Sequence, residues 1–254
     1  MILHPEGPTL KNCALTAAIF RQPAQKALFR RLDLGNSLPT SSASFGIEVI
    51  SELFAHAHLA GFVRELTIYL DTPAAQDDVL REAIFAALTN VRKCTIAGDL
   101  RMRRWTNADR GYIKTLLEWL SACDGHLELI LKDIDGIPPT ALHALLATPK
   151  AAVSLTGISL DFMRMQTPAI NADLAQKFPL ANRLDTLTVY GVSDIFMSRI
   201  LERPEFAPAL GTLRSLTLSH FGGPGQRVRP TSIAALATIA SQTLRYLHID
   251  SLRK

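Results

Sequence analysis

Leu184-Asp185-Thr186-Leu187-Thr188-Val189-Tyr190 is the stretch on which the fold turns. Leu184, Leu187 and Val189 are apolar, and Thr186, Thr188 and Tyr190 alternate with them. Period-two alternation is the mark of a strand with one dry and one wet face. The same L-x-x-L-x-L string returns 29 residues on, as Leu213-x-x-Leu216-x-Leu218, and again as Leu244-x-x-Leu247-x-Ile249. Upstream it reads Phe29-x-x-Leu32-x-Leu34, Val63-x-x-Leu66-x-Ile68, Val91-x-x-Cys94-x-Ile96, a degenerate His126-x-x-Leu129-x-Leu131, and Leu155-x-x-Ile158-x-Leu160. Intervals between leading residues are 34, 28, 35, 29, 29, 29 and 31. A period of this size describes a stack of similar units and directs attention to a surface rather than to a catalytic pocket.

Between the strings lie segments with helical apolar spacing: Ile47 to His56, Val79 to Leu88, Tyr112 to Leu120, Ala141 to Leu146, Ile170 to Phe178, Ile195 to Leu201 and Ile233 to Ile239. Asp77-Asp78 and Asp194 place carboxylates where a helix dipole favours them. Pro139-Thr140 and Pro230-Thr231-Ser232 combine a first-turn proline with a cap. Strand and helix in alternation require parallel strands.

Two closures satisfy that alternation. A closed barrel of eight units takes about 250 residues, which this chain of 254 residues matches. Barrel strands, however, read as nearly continuous apolar runs, whereas these alternate. The expectation is therefore an open leucine-rich-repeat solenoid, a horseshoe with parallel strands on the concave face, helices outside and a short helical N-terminal cap. Residues 1–30 form the helical segment and residues 31–254 the solenoid. Gly98, Gly191 and Gly222 follow three strands where the repeat template places asparagine. Leu244, Leu247 and Ile249 form an edge strand that helix Ile233 to Ser241 or another chain must shield, unless the chain is a shortened member of a longer family.

Composition excludes little else. The hydrophobic fraction of 48% and charged fraction of 20% suit a folded domain. A net charge of +4 is small for this length and gives no reason to expect nucleic acid. The basic runs Arg101-Met102-Arg103-Arg104-Trp105 and Arg21 to Arg31 read as solvated faces or turns. Cys13, Cys94 and Cys123 form no C-x-x-C pair, which favours a reducing compartment. No signal peptide pattern and no membrane-length apolar run occur, so the expected setting is cytoplasmic or nuclear, without a membrane partner.

The N-terminal segment carries a second signal. Thr9-Leu10-Lys11-Asn12-Cys13-Ala14-Leu15-Thr16, then Phe20, then Ala27-Leu28-Phe29-Arg30-Arg31-Leu32-Asp33-Leu34 resembles the second half of the F-box in fungal F-box proteins with irregular leucine-rich repeats. The link His56-Ala57-His58-Leu59-Ala60-Gly61-Phe62-Val63-Arg64-Glu65-Leu66 is also similar to that family, and Leu88-Thr89-Asn90-Val91-Arg92 echoes it. The resemblance implies a substrate receptor of an SCF-type ubiquitin ligase. A Skp1-like adaptor would be held through Leu10, Cys13, Leu15 and Phe20, and a protein substrate on the concave face. The Leu-Pro-x-Glu-Ile-like opening of an F-box has no counterpart in Met1 to Pro8. From the residues alone, Thr9 to Phe29 reads equally as a helical cap sealing the first repeat, and the chain as a scaffold without adaptor binding.

Catalytic chemistry finds no constellation. His56 and His58 stand two apart and do not share a helical face. Phe221-Gly222-Gly223-Pro224-Gly225-Gln226-Arg227 lacks the lysine and hydroxyl of a phosphate loop and reads as a turn. There is no G-x-S-x-G and no H-E-x-x-H. No enzyme activity, cofactor or metal is expected. The outward strand positions are Glu65, Thr67, Tyr69, Lys93, Thr95, Glu128, Lys132, Ser159, Asp161, Thr186, Thr188, Tyr190, Ser215, Thr217, Ser219, Tyr246, His248 and Asp250. Among them Glu65, Thr67, Tyr69, Thr188, Tyr190, Thr217, Tyr246 and His248 are the candidate contacts for a protein partner, because tyrosine joins a large contact area to a polar tip. The alternative is that the aromatics are cross-strand packing pairs.

Overall fold

The structure is a computed structural model. It describes residues 18–34, 56–70, 78–98, 105, 110–123, 127–147, 150–159, 184–190, 194–220 and 230–251. In chain order the elements are α1 (Ala18–Leu28), β1 (Arg31–Leu34), α2 (Ala57–Ala60), β2 (Glu65–Tyr69), α3 (Asp78–Ala87), β3 (Lys93–Ala97), α4 (Arg110–Ala122), β4 (Glu128–Lys132), α5 (Pro139–Ala147) and β5 (Lys150–Thr156). They continue with β6 (Leu184–Tyr190), α6 (Asp194–Leu201), a 3-10 turn (Pro204–Phe206), α7 (Ala207–Leu210), β7 (Ser215–His220), α8 (Pro230–Ile239) and β8 (Tyr246–Ser251). The strands form one eight-stranded sheet in sequence order, and every neighbouring pair is parallel. Helices lie between most consecutive strands, so each crossover returns the chain to the same end.

The register lines up the apolar positions. Leu32, Leu66, Cys94, Leu129, Val153, Leu187, Leu216 and Leu247 form one row. Leu34, Ile68, Ile96, Leu131, Leu155, Val189, Leu218 and Ile249 form the second. From β1 to β7 no member of either row is more than 6% exposed. They join Leu116, Leu117 and Leu120 of α4 and Leu142 and Leu145 of α5 in one core. Each such leucine contributes roughly 1.5–3 kcal/mol by leaving water. Cys94, wholly buried in this row, acts as a small apolar side chain.

The helical layer is keyed by aromatic contacts. Phe85 of α3 packs on Trp119 of α4 with ring centroids 5.2 Å apart. The indole N–H of Trp119 donates to the Leu88 carbonyl at 3.3 Å, which satisfies its one polar atom inside the core. Trp105, the end of the basic run, is buried, and its backbone N–H donates to the Asp135 carbonyl at 2.9 Å. Phe206, wholly buried in the 3-10 turn, meets His143 of α5 edge-on.

Side chains just ahead of the strands stitch successive units together. Asn90 Nδ2 donates to the Gly61 carbonyl at 3.0 Å, and Arg64 Nη1 returns a bond to the Asn90 carbonyl at 2.9 Å. Thr212 Oγ1 accepts from the Leu184 N–H at 2.9 Å. Thr243 Oγ1 lies 2.9 Å from the Gly211 carbonyl and 2.8 Å from that of Leu213.

One strand departs from the sequence expectation. The string Leu155-x-x-Ile158-x-Leu160 is not the fifth strand. β5 ends at Thr156, and its dry residues are Val153 and Leu155, opposite Leu129 and Leu131. The unit begins with Lys150, so the intervals around it become 24 and 34 residues. Gly157 explains the stop. Its φ is +58°, a left-handed turn that breaks an extended strand. The Gly157 N–H donates to the Tyr190 carbonyl at 3.1 Å, so the turn is held to β6. Ser159 consequently lies beyond the sheet: its Oγ accepts from the Gly136 N–H at 3.0 Å and is 3.3 Å from Asp135 Oδ1. Asp161 lies outside the described residues, as do most of the expected helix Ile47 to His56 and all of Ile170 to Phe178. The 3-10 turn and α7 before β7 were not expected. Pro204 and Pro208 open these two short turns at early positions where a missing N–H costs nothing.

Candidate protein-recognition surface

The side of the sheet opposite the core carries three rows of side chains, set by the same register. The first row is Arg31, Glu65, Lys93, Glu128, Ala152, Thr186, Ser215 and Tyr246. The second is Asp33, Thr67, Thr95, Ile130, Ser154, Thr188, Thr217 and His248. The third runs Tyr69, Ala97, Lys132, Thr156, Tyr190, Ser219 and Asp250. Apart from Ala97 and Ser219, which are buried, the described members of these rows are partly or well exposed.

Charge is concentrated at one end. Arg31 Nε lies 2.7 Å from Glu65 Oε2, with Arg30 on the other carboxylate oxygen at 3.4 Å, and Lys93 Nζ lies 3.5 Å from Glu128 Oε1. Alternating signs on adjacent strands support the pairing, each exposed pair contributing less than about 1 kcal/mol. From β5 to β7 the first two rows contain only alanine, serine and threonine. These small side chains form a shallow floor rich in hydroxyl groups.

The candidate contacts distribute as follows. Thr188, Thr217 and His248 are consecutive neighbours in the second row, across β6, β7 and β8. Glu65 is held by its arginines, and Thr67 faces Thr95. The tyrosines are not brought together. Tyr69 faces Ala97, Tyr190 lies between Thr156 and Ser219, and Tyr246 faces Ser215. No tyrosine of the described sheet is the register neighbour of another. Tyr246 is 70% exposed. Sequence reading missed Ala152, Ser154 and Thr156 as outward residues of β5. The signal that locates them is Gly157, since glycine inside an apparent strand marks its end or a bulge.

The other candidates stay apart from this face. His56 and His58 lie edge to face, 6.0 Å between centroids, and His58 meets Phe62. No group of three or more His, Cys, Asp or Glu side chains arranged to hold a metal occurs among the described residues. Leu10, Cys13 and Leu15 lie outside the described residues, as does Phe221 to Arg227, while Phe20 belongs to α1. No helix among the described residues is long and apolar enough to cross a membrane. A scan against protein-family models and a search of curated proteins return no match.

Proposed function

We propose that this chain is a non-enzymatic protein-recognition module, an open α/β solenoid of leucine-rich-repeat type that grips its partner on the outward rows of the sheet. The observation that carries the reading is the alternation of buried with partly or well exposed residues along β2 and β4, along β3 as far as Ile96, and along β6 from Thr186 on. A closed eight-stranded barrel fills its interior with packed side chains. The exposure of Tyr246, Leu247 and Ile249 on β8 favours an open end in the same way. An open sheet offers a broad surface on which tyrosines supply contact area at low entropic cost and hydroxyl groups supply hydrogen bonds.

The N-terminal resemblance extends this reading to the substrate-receptor role in an SCF-type ubiquitin ligase, with a Skp1-like adaptor on Leu10, Cys13, Leu15 and Phe20. The experiment has two arms. Binders are selected against the intact chain from a displayed peptide library, then measured against a Tyr69→Ala/Tyr190→Ala/Tyr246→Ala variant. A loss of affinity of about tenfold or more is expected, in the range of interface hot spots. Unchanged affinity removes the outward rows as the site. Mixing with Skp1 under conditions where an intact F-box binds tests the second part: no binding leaves a free-standing scaffold.

A further inference from the structure

From the edge of the sheet we infer that β8 is the docking strand for a second copy of this chain, paired antiparallel about a two-fold axis through His248. The inference rests on the open-ended sheet proposed above. Tyr246, Leu247 and Ile249 are the exposed large hydrophobic residues among those described, and all three belong to β8. Leu247 and Ile249 continue the two dry rows in register with Leu216 and Leu218, yet they are 45% and 49% exposed. The opposite edge differs: on β1, Leu32 and Leu34 are buried, and Arg31 and Asp33 put charge on the outward side. Natural edge strands are blunted by lysine, proline or bulges. Tyr246 to Asp250 contains neither lysine nor proline, carries its one carboxylate at the end of the segment, Asp250, and pairs with β7 without a bulge.

The main chain fixes the pairing. The Tyr246 N–H donates to the Arg214 carbonyl at 3.0 Å, so Tyr246, His248 and Asp250 turn their backbone groups toward β7. Alternation then turns the N–H and C=O of Leu247 and Ile249 toward the free edge. A two-fold axis at His248 sets Leu247 opposite Ile249 of the second copy, and the reverse, so each pair exchanges two main-chain hydrogen bonds. The axis stands perpendicular to the sheet, so the apolar pairs of both copies share one dry face. Tyr246 falls opposite Asp250, where a phenol can donate to a carboxylate. Centring on Leu247 would instead bring Arg245 opposite Ile249. Of these registers, only the His248 centre matches both apolar residues with apolar partners.

Sedimentation equilibrium of the full chain, up to on the order of 100 µM because an edge contact of this size is weak, reads the association. A monomer–dimer equilibrium is expected, abolished by Leu247→Lys/Ile249→Lys with unchanged circular dichroism. In a Cys13→Ser/Cys123→Ser background, His248→Cys is expected to form a disulfide-linked dimer under mild oxidation, because opposed residues of a non-hydrogen-bonded pair approach to about 4.5 Å between Cα atoms. Tyr246→Cys is expected to remain unlinked. A monomer throughout, with His248→Cys reduced, overturns the inference. Linkage through Tyr246→Cys alone overturns the register. A disulfide within one chain between His248→Cys and Asp33→Cys would contradict the open sheet itself, and with it the proposed function.

Discussion

Asn90 reaches back one repeat to Gly61: its side-chain amide donates to the Gly61 carbonyl at 3.0 Å, while Arg64 from the intervening link donates to the Asn90 carbonyl. Thr243 does the same for the last two units through Gly211 and Leu213. Successive units are therefore joined by the sheet ladder, by apolar packing and by these short polar clasps. Replacing Asn90 by alanine, or Thr243 by valine, is expected to cost about 1 kcal/mol, the usual net value of an intramolecular hydrogen bond. Urea unfolding measures it, and a loss below experimental error for both would show that the clasps are incidental.

Buried and exposed members of one row separate packing from position. Leu129 and Leu247 occupy equivalent register positions, but Leu129 is wholly buried and Leu247 is not. Leu129→Ala is expected to destabilise by about 2–5 kcal/mol through transfer and cavity terms, against under about 1 kcal/mol for Leu247→Ala in the monomer. Similar losses at both positions would mean that the edge is covered within one chain.

The fifth strand offers a test of register. Val153→Asp places a carboxylate in the core and is expected to unfold the chain or cost several kcal/mol. Ser154→Asp faces outward and is expected to change stability by no more than about 0.5 kcal/mol. The reverse order would restore the register that the string Leu155-x-x-Ile158-x-Leu160 suggests.

Gly157 tests the turn that ends β5. A side chain there adopts φ +58° and brings its Cβ to 2.7 Å from Asp133 Oδ1. Gly157→Ala is expected to lower stability by about 1–2 kcal/mol, the penalty of the left-handed region with a contact to relieve. Thermal unfolding against the parent chain reads the difference, and an unchanged midpoint would contradict a strained turn.

Much of this architecture was legible in the chain because period-two alternation and helical spacing are local. Leu66 with Ile68, and Leu187 with Val189, identify their strands and their dry faces without tertiary information. The proline starts at Pro139 and Pro230 likewise coincide with α5 and α8. The fifth unit was misplaced because its leading position is Lys150, while Leu155, Ile158 and Leu160 imitate the template five residues later. What stops that imitation is a backbone dihedral at Gly157 and a hydrogen bond to Tyr190, neither of which has an apolar period. The outward rows were legible as positions but not as neighbours. Only the register reveals that Arg31, Glu65, Lys93 and Glu128 line up with alternating charge, and that the tyrosines stand apart.

The separation of the two end strands tests the open sheet most directly. Spin labels on Asp33→Cys and His248→Cys, in the Cys13→Ser/Cys123→Ser background and diluted with unlabelled chain, report it by pulsed electron resonance; buried Cys94 remains unlabelled. Seven strand spacings of about 4.8 Å, shortened by curvature, give an expected separation of about 30 Å. A separation under about 15 Å would place β1 beside β8, as neighbouring strands of a closed ring, and would contradict the account.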